Sequence, residues 1–160
     1  MSDATLNGWD YDKPFIRRTT VSAADVDALN HTNNTIYVRW CEEVSWEHSA
    51  QLGLTVESYH QLNRAMAVVE GRYKYLQASY LDDEIDTATW IVYWDKRLTM
   101  TRHFQIRRVQ DGATLLRGEV RFACIEISSG RPRRLPPEFI EGYGPAILNI
   151  DREDSLWADD

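Results

Sequence analysis

One stripe of residues limits what this chain can become. Ile36, Trp40, Val44 and His48 recur every four residues, with Tyr37 and Cys41 beside them. On a helix of about 3.6 residues per turn these positions form one broad inward face. The expected helix runs from about Asn33 to Leu52. Asn33, Asn34 or Thr35 can cap it, and Gly53 is a suitable C′ residue to stop it. Beyond it the period changes from helical to alternating. Arg64–Leu76, Glu84–Lys96, Met100–Gln110 and Ala113–Ser128 read as long strands. In the second, Ala88, Trp90, Val92 and Trp94 share a face. In the fourth, Leu116, Val120, Phe122 and Cys124 point in, while Arg117, Glu119 and Arg121 point out.

The breaks between these runs are turn-like: Gln77–Asp83, Arg97–Thr99 and the Asp111-Gly112 pair, a strong hairpin signal. A short strand, Pro14–Val21, precedes the helix. Thr55, with Ser58 three residues on, opens a short helix or turn to Leu62. The order is strand, long helix, then four strands joined mostly by hairpins. That predicts an α+β domain, an antiparallel sheet of about five strands curled on one long helix. Residues 1–13 read as an N-terminal arm, 14–145 as the domain, and 146–160 as an acidic tail, mobile from about Ile150. RPRRLPPEFIEGY reads as a proline-marked turn with room for one helical turn.

Length and charge narrow the function. A chain of 160 residues is one domain by default, and 43% hydrophobic content supplies a core. No apolar run approaches the roughly 20 residues that span a bilayer, and the polar, acidic N-terminus is no secretory signal. Two cysteines, Cys41 and Cys124, make neither a disulfide framework nor a metal-ligand spacing, which points to a reducing, cytoplasmic compartment. Of the net charge of −7, the last ten residues contribute −4. An acidic balance argues against nucleic acid. It leaves room for a small anionic ligand held by a local basic cluster.

The reactive groups gather ahead of the helix. Ala23 to Trp46 begins with two carboxylates (Asp25, Asp27), an imidazole (His31) and three amide side chains (Asn30, Asn33, Asn34), then passes into the apolar helix. A helix N-terminus presents unpaired N–H groups and partial positive charge. A base beside an oxyanion site is the minimum for hydrolysing an ester-like bond.

The run Asp25-Val26-Asp27-Ala28-Leu29-Asn30-His31-Thr32-Asn33-Asn34-Thr35-Ile36-Tyr37 resembles the D-x-D-x-x-x-H-x-N-N-x-x-Y signature of hotdog-fold thioesterases. The nearest kin are the 4-hydroxybenzoyl-CoA thioesterase-like acyl-CoA hydrolases and, more distantly, the acyl-carrier-protein thioesterases. The resemblance implies a single hotdog fold over about residues 14–128 and an acyl-CoA substrate. It also implies a homodimer or homotetramer whose sheets pair edge to edge, with active sites at the interface. It makes Asp27 the catalytic carboxylate, the backbone N–H of Asn34 the oxyanion donor, and His31 a residue of the site. Leu29 stands where the carrier-protein enzymes often have Asn, so their full Asp-Asn-His constellation is absent.

By the same resemblance, Lys96 and Arg97 sit where basic residues contact CoA phosphates. Arg131, Arg133 and Arg134 form the second basic cluster, and Tyr37 is a further substrate-binding candidate. Each has a plainer reading: a turn-forming Asp27, a capping Asp25, solvated arginines, an ordinary exposed strand face for Glu70, a rival base. Cys41 and Cys124 read as core, His48, His60 and His103 are scattered, and no metal or cofactor is implied. A hydratase or dehydratase, or a non-catalytic acyl-CoA-binding protein, are the alternatives to hydrolysis. Trp90 and Trp94 suit burial in a subunit contact.

Overall fold

The computed structural model describes residues 7–151. It is an α+β hotdog fold. Five strands, β1 (Phe15–Thr20), β2 (Arg64–Tyr75), β3 (Glu84–Trp94), β4 (Thr99–Arg108) and β5 (Thr114–Glu126), form one antiparallel sheet in the order β1-β3-β4-β5-β2. The central helix α1 spans Asn34–Gln51, and α2 (Val56–Leu62) and α3 (Pro137–Tyr143) are short. Strand and helix limits fall within two residues of the sequence reading. Gly53 takes φ +87°, the left-handed conformation that ends α1, with its N–H on the Ala50 carbonyl. Thr55 Oγ1 accepts the Ser58 N–H at 3.1 Å and Ser58 Oγ accepts the Thr55 N–H at 3.2 Å, a closed capping box for α2.

The chain divides into two compact units. The first draws on Met1–Ser45, Tyr73–Thr89 and Phe104–Gly118. Its buried apolar residues include Tyr37, Trp40, Cys41 and Val44 of α1, so the four-residue stripe is the inward face of the helix. β1 runs antiparallel to β3 in the register Phe15↔Thr89 to Thr20↔Glu84. The Asp111-Gly112 hairpin forms with Gly112 at φ +71°. Arg108 binds Asp111 (2.9 Å), the Gln77 amide oxygen (3.3 Å) and the Ala78 carbonyl (2.9 Å), tying that hairpin to the loop before β3. The described part of the N-terminal arm is held too. Asp10 makes two hydrogen bonds to Arg117 (2.8 and 2.9 Å), and Arg107 lies 4.8 Å over the Trp9 ring. Residues 1–6 and 152–160, including most of the acidic tail, lie outside the described residues.

The second unit draws on Trp46–Arg72, Trp90–His103 and Glu119–Asp160. Its core is Leu54, Tyr59, Ile91, Met100, Cys124, Leu135, Phe139 and Tyr143. α3 is longer than the single turn expected from its prolines. Pro136 caps it and Pro137 occupies the first helical position, where the missing N–H costs nothing, and Phe139 and Tyr143, four apart, give it a buried face. Residues 147–150, read as tail, hydrogen-bond to β3: Leu148 N–H to Ile91 O at 2.9 Å and Ile150 N–H to Val92 O at 3.0 Å. Trp90 is buried within the single chain at 2% exposure, so it is not free to serve a subunit contact.

A buried polar network crosses this core. Arg102, 1% exposed, donates to His48 Nδ1 at 2.9 Å and to Ser49 Oγ at 3.3 Å. Ser49 Oγ meets the Tyr143 hydroxyl at 3.0 Å, and Tyr143 is hydrogen-bonded to the Tyr59 hydroxyl. Burial, reinforced by the Arg102 charge, pushes the His48 imidazole down to about 4. Burial also lowers the Arg102 guanidinium to about 10 and raises the Tyr59 hydroxyl.

Candidate active site

Two places in the chain carry the groups picked out from the sequence. The first is the loop ahead of α1. A 3-10 turn, Ala23–Asp25, opens it, and Asp25 Oδ2 accepts both the N–H and the hydroxyl of Ser22 at 3.0 Å. Asp25 is therefore a capping residue. The chain then doubles back. Val26 and Thr32 bridge antiparallel, Asp27 N–H reaches His31 O at 2.8 Å, and Asn30 closes the turn at φ +61°. Asn tolerates that left-handed position better than most residues.

Asp27 sits at the base of this turn. Its Oδ1 accepts the N–H groups of Leu29 (2.8 Å) and His31 (3.2 Å), which locks the side chain to its own loop. The second carboxylate oxygen has no acceptor role among the described residues, and the residue is exposed. Oδ1 therefore builds the turn, and Oδ2 stays without a hydrogen bond among the described residues. The His31 backbone bridges to Tyr80, and its ring stands edge-on to the Tyr80 ring, centroids 5.2 Å apart.

Asn33 caps the helix, its Oδ1 accepting the Thr35 N–H at 3.2 Å, and its carbonyl takes the Ile36 N–H at 2.9 Å. The Asn34 N–H has no acceptor among the described residues. Asn34 is exposed, so this donor at the positive end of an 18-residue helix is open to a ligand oxygen. Tyr37 is not exposed. It is buried at 3%, edge-on to Trp40 and Tyr75, and its hydroxyl is committed to Ser79.

The second place is a basic pocket. Asp95, Arg97, Leu98, Pro132, Arg133 and Arg134 line a cavity of about 350 Å³. It arises because the β3–β4 turn and the segment after β5 are stitched together: Leu135 N–H to Arg97 O at 2.8 Å, Cys124 N–H to Leu98 O at 2.7 Å, and Arg133 N–H to Cys124 O at 3.0 Å. Asp95 shapes the turn. Its Oδ1 accepts the N–H groups of Arg97, Leu98 and Thr99 at 2.8, 2.8 and 2.9 Å. Burial alone would raise this carboxyl, but the amide bonds prevail and hold it at about 2. Arg133 pairs with Glu126 at 2.9 Å. Arg97 and Arg134 make no ion pair among the described residues. The two basic clusters, 36 residues apart from Arg97 to Arg133 in sequence, thus meet in one pocket. Lys96, at φ +63°, and Arg131 are exposed neighbours that do not line it.

Residues 21–142 match the sequence profile of the thioesterase-like superfamily. The chain belongs to that superfamily, and its reaction class is thioester hydrolysis. A search of curated proteins finds no match. Solved structures are similar in fold. One is a Staphylococcus aureus hypothetical protein in complex with CoA, at 20% identity and TM-score 0.77, covering 87% of this chain and 89% of that one. Another is a 1,4-dihydroxy-2-naphthoyl-CoA thioesterase from Synechocystis, at 16% identity and TM-score 0.74, covering 88% and 99%. A third is the 12:0-ACP thioesterase from Umbellularia californica, at 18% identity and TM-score 0.75, covering 87% and 55%.

Other groups of this thioesterase are accounted for by structure. Burial raises the Cys41 thiol and pushes Cys124 up to about 11, against the thiolate a nucleophile needs. Glu70, exposed on β2, is engaged by Arg72 at 3.1 Å and Arg121 at 3.6 Å. No helix among the described residues is long and apolar enough to cross a membrane. Sequence reading passed over Ser79, Tyr80 and Asp95. The first two sit in a loop of no motif. Asp95 had a signal, an acid two residues before the first N–H of a tight turn between strands.

Proposed function

We propose that this thioesterase hydrolyses acyl-CoA. Water attacks the thioester carbonyl while Asp27 takes its proton, or Asp27 attacks first and water resolves the anhydride. The tetrahedral oxyanion is held by the Asn34 N–H, the C–S bond breaks, and CoA leaves as a thiol with the free acid as co-product. His31 lies in the same turn as Asp27 and orients substrate or carboxylate. The observation that carries this reading is the pairing of a carboxylate oxygen and a helix N-terminal N–H that both lack a hydrogen-bond partner among the described residues, in one hydrogen-bonded loop.

The phosphates of CoA go to the Arg97–Arg133–Arg134 pocket, with Lys96 and Arg131 adding charge at its margin. In an acidic protein only a local cluster of this kind can attract a polyanion. Support for CoA also comes from the similar fold that holds it. Tyr37 acts from beneath the loop rather than in contact with substrate.

The working unit is a homodimer or a dimer of dimers. β2 is an edge strand of 12 residues with Val68 58% and Val69 51% exposed, the kind of edge that isolated proteins usually cover. The test is thiol release across short, medium, long and aromatic acyl-CoAs, with acyl-carrier-protein thioesters in parallel, and sedimentation for the assembly. Turnover of at least one CoA ester by a dimer or tetramer is the expected result. Silence on every CoA ester with activity on a carrier-protein ester would move the substrate class. Binding without turnover would leave a non-catalytic acyl-CoA-binding protein.

A further inference from the structure

The loop before α1 is held by a residue with no chemistry of its own in the reaction. Ser79 is 0% exposed and bonds on three sides. Its Oγ lies 2.6 Å from Thr32 Oγ1 and 2.8 Å from the Tyr37 hydroxyl. Its N–H donates to the Tyr37 hydroxyl at 3.1 Å, and its carbonyl accepts both the Thr32 N–H (2.9 Å) and the Thr32 hydroxyl (3.2 Å). Only one assignment of protons serves every bond. Tyr37 O–H donates to Ser79 Oγ, Ser79 O–H donates to Thr32 Oγ1, and Thr32 O–H donates to the Ser79 carbonyl. Such a closed, buried set is rigid, because any member that turns away leaves a desolvated partner.

Its position gives it a role. Thr32 and Tyr37 bracket residues 33–36, the cap and the first three residues of α1, and Thr32 is also the bridge partner of Val26, next to Asp27. The next residue, Tyr80, bridges to the His31 backbone and meets the His31 ring edge-on. We propose that Ser79 is a positioning residue for hydrolysis: through Thr32 and Tyr37 it fixes the Asn34 N–H relative to Asp27. This rests on the assignment of Asp27 and Asn34 made above. Misplacement of reacting groups by about 1 Å costs on the order of 10²-fold in rate, so the knot acts on kcat and leaves substrate affinity alone.

The experiment measures kcat and KM on the best acyl-CoA for Ser79→Ala, Tyr37→Phe and the double variant, with Asp27→Asn alongside and thermal melts on all. Each single variant is expected to lose about 10- to 100-fold in kcat with KM within about two-fold. The double variant is expected to lose no more than the worse single, because both break one unit. Should Ser79→Ala fail to fold, Tyr37→Phe, which keeps the Ser79 to Thr32 bonds, carries the same test. A folded variant with a lowered melting temperature but wild-type kcat would overturn the proposal, as would additive losses or a rise confined to KM. Full activity in Asp27→Asn would instead sink the assignment of Asp27, and a kcat loss at Ser79 would then still stand as positioning of the helix end.

Discussion

Two polar regions of this molecule are built from similar parts and do opposite things. Ahead of α1, Asp27, His31, Asn33 and Asn34 are exposed or half-exposed. Much of their backbone is hydrogen-bonded, yet one carboxylate oxygen of Asp27 and the Asn34 N–H have no partner among the described residues. In the last turns of the same helix, His48 and Ser49 join Arg102, Tyr59 and Tyr143 in a network whose five members are all buried. There the guanidinium and imidazole are closed off from solvent and shifted toward neutrality. Ionisable residues in a helix-end cluster do not by themselves mark a reactive site.

The contrast can be broken by mutation. Asp27→Asn removes the open carboxylate and should cost about 10² to 10⁴ in kcat, as expected for a positioned acid–base group, with little change in melting temperature. If the melt falls and the rate does not, the turn-forming role of Asp27 is its whole role. Next in size, reversing charge in the basic pocket with Arg97→Glu or Arg134→Glu should raise KM for acyl-CoA about tenfold or more. KM for a short pantetheine thioester should not move, because that molecule lacks the nucleotide phosphates. Equal effects on both substrates would remove the pocket from the account.

In the closed region the effect should fall on stability. Arg102→Met leaves the His48 imidazole and the Ser49 hydroxyl short of a partner and should lower unfolding free energy by about 1–3 kcal/mol, with kcat of the folded fraction unchanged. A urea titration with activity measured in parallel checks both halves. An effect of similar size is expected in pH. His48 takes a proton near 6.5 when unfolded but only at about 4 when folded. Between those values the unfolded chain binds more protons, so stability should fall as pH drops from 6.5 toward 4 and level off below. His48→Gln should flatten that slope. An unchanged slope would mean that other groups carry it.

The framework was legible in the sequence because periodicity speaks directly to it. The Ile36–Trp40–Val44–His48 stripe and the alternating runs placed every strand and the long helix. Gly53 and Thr55-Ser58 showed where helices stop and start because those residues solve a backbone problem locally. Asp27, His31 and Asn34 were visible only as a motif. That Arg97 and Arg133 share a pocket was not visible, since it depends on backbone bonds between segments far apart. Ser79 was silent for the same reason, because its meaning lies in Thr32 and Tyr37. α3 was underread because its prolines suggest a turn, while Phe139 and Tyr143 supply the burial that makes it a helix.

The most direct test is a single comparison: kcat for thiol release from the best acyl-CoA, wild type against Asp27→Asn, both checked for the same fold and assembly. The account predicts a collapse of at least about 10²-fold with an unaltered melt. Equal turnover by the two proteins would contradict it and place the chemistry on another residue of this thioesterase.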